Sequence, residues 1–266
     1  MTKRRVTVTT LHNMKKKGEK IASLTAYDAS FARVLDEQGV DCILVGDSLG
    51  MVIQGYETTV PVSVDDMVYH TKAVATACKT ALLMADLPFM SYTSPQQALH
   101  NTARIMQEGG AHMIKLEGGA PQIETVKQLT HHGVPVCAHL GLTPQSVHKL
   151  GGYRVQGREQ GAAQQMIDDA MALQEAGADA VLLECVPVKL AKKITAKLTV
   201  PTIGIGAGAD CDGQVLVLHD LLGITPNAPK FSKDFLSESN DIASAVKSYV
   251  DAVKSGSFPT EDQCFI

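Results

Sequence analysis

The 266-residue chain contains no tryptophan, and aromatic residues make up only 5% of it. Any core it forms must therefore be aliphatic. Positive charge is not in excess either: 24 Lys and Arg stand against 28 Asp and Glu, for a net charge of −4. No broad basic field exists to attract nucleic acid or an anionic membrane, so neither is an expected partner. No apolar run approaches the ~18 residues of a membrane span. The basic N-terminal stretch, MTKRRVTVTTLHNMKKKG, lacks the apolar core of a signal peptide. Its two readings are a solvated start to a capping helix and a nucleic-acid tail. The six cysteines (Cys42, Cys78, Cys137, Cys185, Cys211 and Cys264) include no CxxC pair. They suit free thiols in a reducing compartment better than a disulfide frame or a zinc site. The expected location is the cytoplasm.

Hydrophobic residues make up 45% of the chain, enough for a sizeable core. Eight short apolar runs recur, at 21–28, 42–48, 81–89, 112–119, 137–141, 181–187, 202–208 and 215–223. They are near-continuous and rich in Val, Ile and Leu, as strands buried on both faces of a parallel sheet are. Helical patterns lie between them. Ser63 and Asp66 form a capping box before Met67 to Cys78. Ser94 and Pro95 open another helix, which Gly109 is expected to end. A third helix spans 159–176. Alternation of this kind predicts one domain over 1–266, a (β/α)8 TIM barrel with an N-terminal helical segment. A helix near 241–254 is expected outside the eightfold unit. A doubly wound open sheet is the alternative.

In such a barrel, chemistry sits at the C-terminal ends of the strands. This chain places an ionisable group there five times: Asp47, Asp86, Glu117, His139 and Glu184. Lys115, two residues before Glu117, points to the same side of its strand. Three carboxylates without cysteine or histidine pairs suit a hard cation, best Mg2+. Asp47 and Asp86, in tight loops, read as direct ligands, and Glu117 as a ligand through water. The plainer alternative is a metal-free cluster balanced by Lys115, Arg154 or Arg158. Glu184 lies between Val181–Leu183 and Cys185–Pro187. An apolar setting makes a carboxylate a better proton acceptor; otherwise Glu184 pairs with Lys192 or Lys193. The GIGAG run at 204–208 lacks the spacing of a dinucleotide fingerprint. It reads as a phosphate-binding turn or as simple close packing.

With these residues the sequence resembles the ketopantoate hydroxymethyltransferase family. The likeness runs through TAYD at 25–28, VGDSLGMVIQG at 45–55, MADLPFMSY at 84–92 and KLEGG at 115–119. It continues through HLGLTPQS at 139–146, GGYRVQGR at 151–158, LLECVP at 182–187 and IGIGAG at 203–208. The resemblance implies a Mg2+-binding barrel enzyme of pantothenate synthesis. Such an enzyme transfers a one-carbon unit from 5,10-methylenetetrahydrofolate to 3-methyl-2-oxobutanoate, giving 2-dehydropantoate. It implies Asp47, Asp86 and Glu117 as the metal site, and Asp47, Ser48, Asp86 and Lys115 as keto-acid contacts. Glu184 matches the family's proton acceptor, which forms an enolate at C3 of the keto acid. A homodecamer is implied as well. The loop GITPNAPKF at 223–231 is less glycine-rich than the family pattern, which makes folate affinity the property most open to difference.

Two other readings compete. One is a Mg2+-dependent C–C lyase or phosphonomutase of the phosphoenolpyruvate-binding barrels; against it, the fourth strand ends in KLEGG and not in a Lys-Cys-Gly-His stretch. The other is a non-catalytic ligand-binding barrel, which predicts lost rim carboxylates.

Overall fold

A computed structural model describes residues 4–266. Eight parallel strands close into a barrel in chain order. They are β1 (Ile21–Thr25), β2 (Cys42–Val45), β3 (Leu82–Asp86), β4 (Met113–Glu117), β5 (Val136–Gly141), β6 (Ala180–Glu184), β7 (Thr202–Ile205) and β8 (Gly213–Leu216). Closure comes from β1 pairing with β8, Ser23 opposite Val215. Every residue of β1 to β4 is buried. One face of each strand fills the barrel and the other meets helices, so the runs are continuous and not alternating. Each expected run falls on a strand, but most overshoot its end. The apolar stretch continues into the loop because Leu87, Val186 and Ala207 are buried too.

The helices are α1 (Val8–Lys17), α2 (Ala29–Glu37), α3 (Leu49–Val52), α4 (Val64–Ala77), α5 (Pro95–Gln107) and α6 (Ile123–His131). After them come α7 (Val147–Leu150), α8 (Gln160–Glu175), α9 (Val188–Lys197), α10 (Leu218–Leu221) and α11 (Ile242–Ser255). The Ser63 capping box is present. Ser63 Oγ accepts from the Asp66 N–H at 3.1 Å, and the Asp66 carboxylate accepts from the Ser63 N–H at 2.9 Å. Such a cap contributes about 1 kcal/mol. Helix α5 stops at Gln107, just before Gly109, but the left-handed residue that follows is Gly110, at φ 84°, and not Gly109.

Two expectations about the helical ring change. Residues 206–212, between β7 and β8, form no helix. Helix α11 is not an appendage but packs on the barrel wall. Its buried Tyr249 donates to the carbonyls of Ser23 on β1 (2.9 Å) and Gln214 on β8 (3.0 Å). It therefore serves as the helix that follows β8, reached through the long segment 222–241. At the opposite pole, α1 buries Leu11 and Met14. His12 Nε2 bonds the Asp179 carbonyl at 2.8 Å, and Lys15 Nζ reaches Asp212 Oδ2 at 2.7 Å. These contacts place α1 beneath the starts of β6 and β8, the capping role. All six cysteines are buried and free. Among the described residues, no helix is long and apolar enough to cross a membrane.

Candidate active site

Barrel register lines up the polar residues. Asp86 on β3 stands opposite Lys115 on β4, Glu117 opposite His139 on β5, and Gly141 opposite Glu184 on β6. Asp47 and Ser48 follow β2 directly. All seven polar residues (Asp47, Ser48, Asp86, Lys115, Glu117, His139 and Glu184) line one cavity of about 750 Å³ at the C-terminal mouth. The sequence-expected site is thus a single place. Lys115 Nζ lies 3.0 Å from Asp86 Oδ1, an ion pair with poor hydrogen-bond alignment. The Asp47 N–H donates to Asp86 Oδ2 at 3.0 Å, tying the two loops together. Ser48 Oγ shares a 2.8 Å hydrogen bond with the Tyr27 hydroxyl.

One organising residue escapes sequence reasoning. Gln145, in the turn after β5, is buried among the carboxylates. Its Nε2 donates to Asp47 Oδ2 at 2.8 Å and to the Leu87 carbonyl at 2.9 Å. Its backbone N–H donates to Glu117 Oε2 at 3.0 Å. The Tyr92 hydroxyl donates to its Oε1. Gln145 thus links the ends of β2, β3 and β4. Both residues lie inside family-like motifs, in TPQS and MSY, yet nothing local marks either as a hub. Their partners are brought in by the barrel.

Burial and mutual repulsion set the electrostatics. Asp47 is held well above the usual carboxylate range, first by burial and then by Asp86 and Glu117. Burial also raises Asp86, against the opposing pull of Lys115. Lys115, only 4% exposed, would lose its charge to burial, but Asp86, Glu117 and Asp47 hold it protonated, above the ordinary lysine value. His139, 1% exposed, is pushed down by burial and by Lys115. The Glu117 and Glu184 carboxylates outweigh both, and it rises to about 9. Its Nδ1 lies 3.4 Å from Glu117 Oε1 and its Nε2 lies 3.3 Å from Glu184 Oε2.

The setting of Glu184 differs from the expected one. Its side chain is 14% exposed and faces His139 rather than an apolar wall alone. Lys192 is engaged elsewhere, 3.1 Å from Asp210 Oδ1, and Lys193 and Arg158 line a separate pocket. The backbone around Glu184 is constrained. Cys185 takes the left-handed conformation at φ 48°, which costs a non-glycine residue about 1 kcal/mol or more. It is pinned there by its N–H to the Ile205 carbonyl at 2.9 Å and by its carbonyl to the Gln156 N–H at 3.0 Å. Gly141, at φ 95°, leaves room for this turn: a Cβ there would lie 2.2 Å from the Glu184 carbonyl oxygen.

Four carboxylates here face two cationic side chains. The buried oxygens Asp86 Oδ1 and Glu117 Oε1 make no hydrogen bond. Hard oxygen donors with spare lone pairs and excess negative charge fit a divalent cation. Among the described residues, no three or more Asp, Glu, His or Cys side chains are gathered into a ready metal cage. Such a cation would complete its shell with water or substrate oxygens. The GIGAG glycines serve close packing, with Gly206 against Phe231 and Phe265 and Gly208 against Val188. The 223–231 loop forms part of the cavity wall through Ile224, Asn227 and Phe231.

Residues 5–261 match the family model for ketopantoate hydroxymethyltransferase. The 3-methyl-2-oxobutanoate hydroxymethyltransferase of Thiobacillus denitrificans is 60% identical over 261 residues, covering 98% of this chain and 99% of its own. That of Halorhodospira halophila is 57% identical over 260 residues, covering 98% and 94%. Among solved structures, a phosphonopyruvate hydrolase in complex with oxalate and Mg2+ superposes with a TM-score of 0.61, at 14% identity, over 79% of this chain and 80% of that one. An oxaloacetate acetylhydrolase gives 0.58 at 15% identity, over 96% and 98%. At such identities the likeness shows the barrel fold alone.

Proposed function

Because the chain belongs to the ketopantoate hydroxymethyltransferase family, we propose that its cavity converts 3-methyl-2-oxobutanoate to 2-dehydropantoate with 5,10-methylenetetrahydrofolate as one-carbon donor. The observation that carries this reading is the rim itself. A buried Lys115–Asp86 pair, oxygens on Asp86 and Glu117 that lack a hydrogen bond of good geometry, and Glu184 all face one space large enough for two reactants.

Asp47, Asp86 and Glu117 would hold Mg2+. When bound, Mg2+ supplies Lewis-acid polarisation of the keto group and so acidifies the neighbouring C–H. Lys115 stays charged at neutral pH and is placed to meet the substrate's oxygens. Ser48, held by Tyr27, offers a further hydrogen bond. Glu184 removes the proton from C3 of the keto acid. His139, bridging Glu117 and Glu184, orients that carboxylate. Ring opening breaks the folate's C–N10 bond and leaves an iminium at N5. Water adds to its methylene carbon, and cleavage of the C–N5 bond releases tetrahydrofolate and a one-carbon unit at the formaldehyde level. The enolate carbon adds to the carbonyl of that unit, whose oxygen, supplied by water, takes a proton and becomes the hydroxyl of the new hydroxymethyl group. Buried, fixed charges stabilise the enolate better than mobile water does, and this is the largest catalytic contribution expected. The protein acts in this proposal as a cytoplasmic homo-oligomer, a homodecamer by family resemblance, and its free thiols suit that compartment. The test is an assay of purified protein with keto acid, methylenetetrahydrofolate and Mg2+. Product that forms and vanishes on chelation supports the proposal. Folded protein that yields no 2-dehydropantoate refutes it.

A further inference from the structure

The cavity has a second polar wall that this chemistry leaves unused. It lies after β8, across the barrel from Lys115 and Glu117 on β4. Asp220, on α10, is 5% exposed and lines the cavity. Burial raises its carboxyl above the usual carboxylate range, and among the described residues it forms no salt bridge. The neighbouring Thr225 hydroxyl eases that charge but makes no hydrogen bond of good geometry, and its oxygen is buried. Beside it, His219 also lines the cavity, and its buried Nδ1 has no partner. The His219 ring packs beside Tyr27, with ring centroids 5.7 Å apart and planes tilted by 43°. Two buried polar atoms without a hydrogen bond of good geometry, His219 Nδ1 and Thr225 Oγ1, beside a largely buried carboxylate are costly unless a ligand satisfies them.

A carboxylate accepts best from two adjacent N–H donors presented side by side. The small keto acid offers no N–H and occupies the opposite wall. The pterin of the folate does offer such a pair, N3–H and the 2-amino group, with the 4-oxo acceptor alongside. We infer that Asp220 reads this donor pair, with His219 and Thr225 meeting the adjoining polar atoms of the ring. The apolar residues of the 223–231 loop, Ile224 and Phe231, then flank the ring faces. This inference rests on the proposed function, which supplies the folate. It puts the folate's recognition on the β8 side and the keto acid's on the β2–β6 side, with the reacting carbons meeting between them.

The test measures tetrahydrofolate binding by calorimetry to the wild-type protein and to Asp220→Asn. The amide turns a donor toward the donor pair, so affinity should fall about tenfold or more. Keto-acid affinity and the melting temperature control for folding. A second arm needs no variant: a folate analogue whose 2-amino group is replaced by methyl should bind wild-type protein about tenfold more weakly than tetrahydrofolate. Equal binding of the analogue, or equal tetrahydrofolate affinity in folded Asp220→Asn, overturns the inference alone. Wild-type protein that binds no tetrahydrofolate at all counts instead against the proposed function, and so overturns both.

Discussion

Replacing Gln145 with leucine removes the donor and acceptor at the centre of the site while keeping most of the volume. Three side-chain hydrogen bonds go: those to Asp47 Oδ2 and the Leu87 carbonyl, and the one from the Tyr92 hydroxyl. The backbone bond to Glu117 survives, because it uses the main-chain N–H. Each orphaned buried group costs about 1–3 kcal/mol, more where it is charged. The three share one neighbourhood and do not add fully, so the expected loss is about 3–5 kcal/mol. Urea unfolding of both proteins in cation-free buffer measures this as a lower midpoint at unchanged slope. A second readout follows from geometry. Asp47 loses its fixed orientation, so the Mg2+ concentration needed for half-maximal activity should rise. Gln145→Glu keeps the shape but adds a carboxylate beside Asp47, so its loss should be larger at pH 8 than at pH 5. A Gln145→Leu penalty under about 1 kcal/mol would mean that the hub does not hold the loops, and the reasoning fails.

Mg2+ should stabilise the protein in a pH-dependent way. The raised values of Asp47 and Asp86 mean that these groups favour folding below their unfolded value of about 3.8, and that this contribution is lost as pH rises through their folded values. A cation that binds the ionised forms therefore helps more at pH 8 than at pH 5. At 100 times its Kd the gain is about 2.7 kcal/mol, and Asp47→Ala with Asp86→Ala should abolish both the gain and the activity. Thermal melts with and without Mg2+ check this, and an equal shift at both pH values contradicts it. Gly141→Ala should destabilise and inactivate together, since its Cβ would strike the Glu184 carbonyl and its φ is left-handed. Wild-type melting and turnover in that variant would show that the close approach is not obligatory.

The barrel was legible because strands buried on both faces carry their signal in every residue. The rim charges were legible because each interrupts an apolar run at its C-terminal end. Strand ends were overread where the loop itself is buried, as at Leu87 and Val186. The role of α11 was not legible, because its amphipathic pattern is the same whether it packs on this barrel or elsewhere; only the Tyr249 contacts place it. Gln145 and Tyr92 stayed hidden for a different reason. A neutral side chain in a turn acquires meaning from partners 25 to 98 residues away. Asp220 was hidden because it lies inside the apolar run at 215–223, whose second half turns out to be the short helix α10, and its place on the cavity wall comes from the fold.

The central claim is that Glu184 takes the proton from C3 of the keto acid. Its most direct measurement is deuterium exchange at C3 of 3-methyl-2-oxobutanoate in heavy water with Mg2+ and no folate, followed by NMR. Wild-type protein should exchange the position. Glu184→Gln should slow exchange by about 10²–10⁴-fold while still binding the keto acid. Exchange at the wild-type rate in Glu184→Gln would contradict the account and move the base elsewhere on the rim.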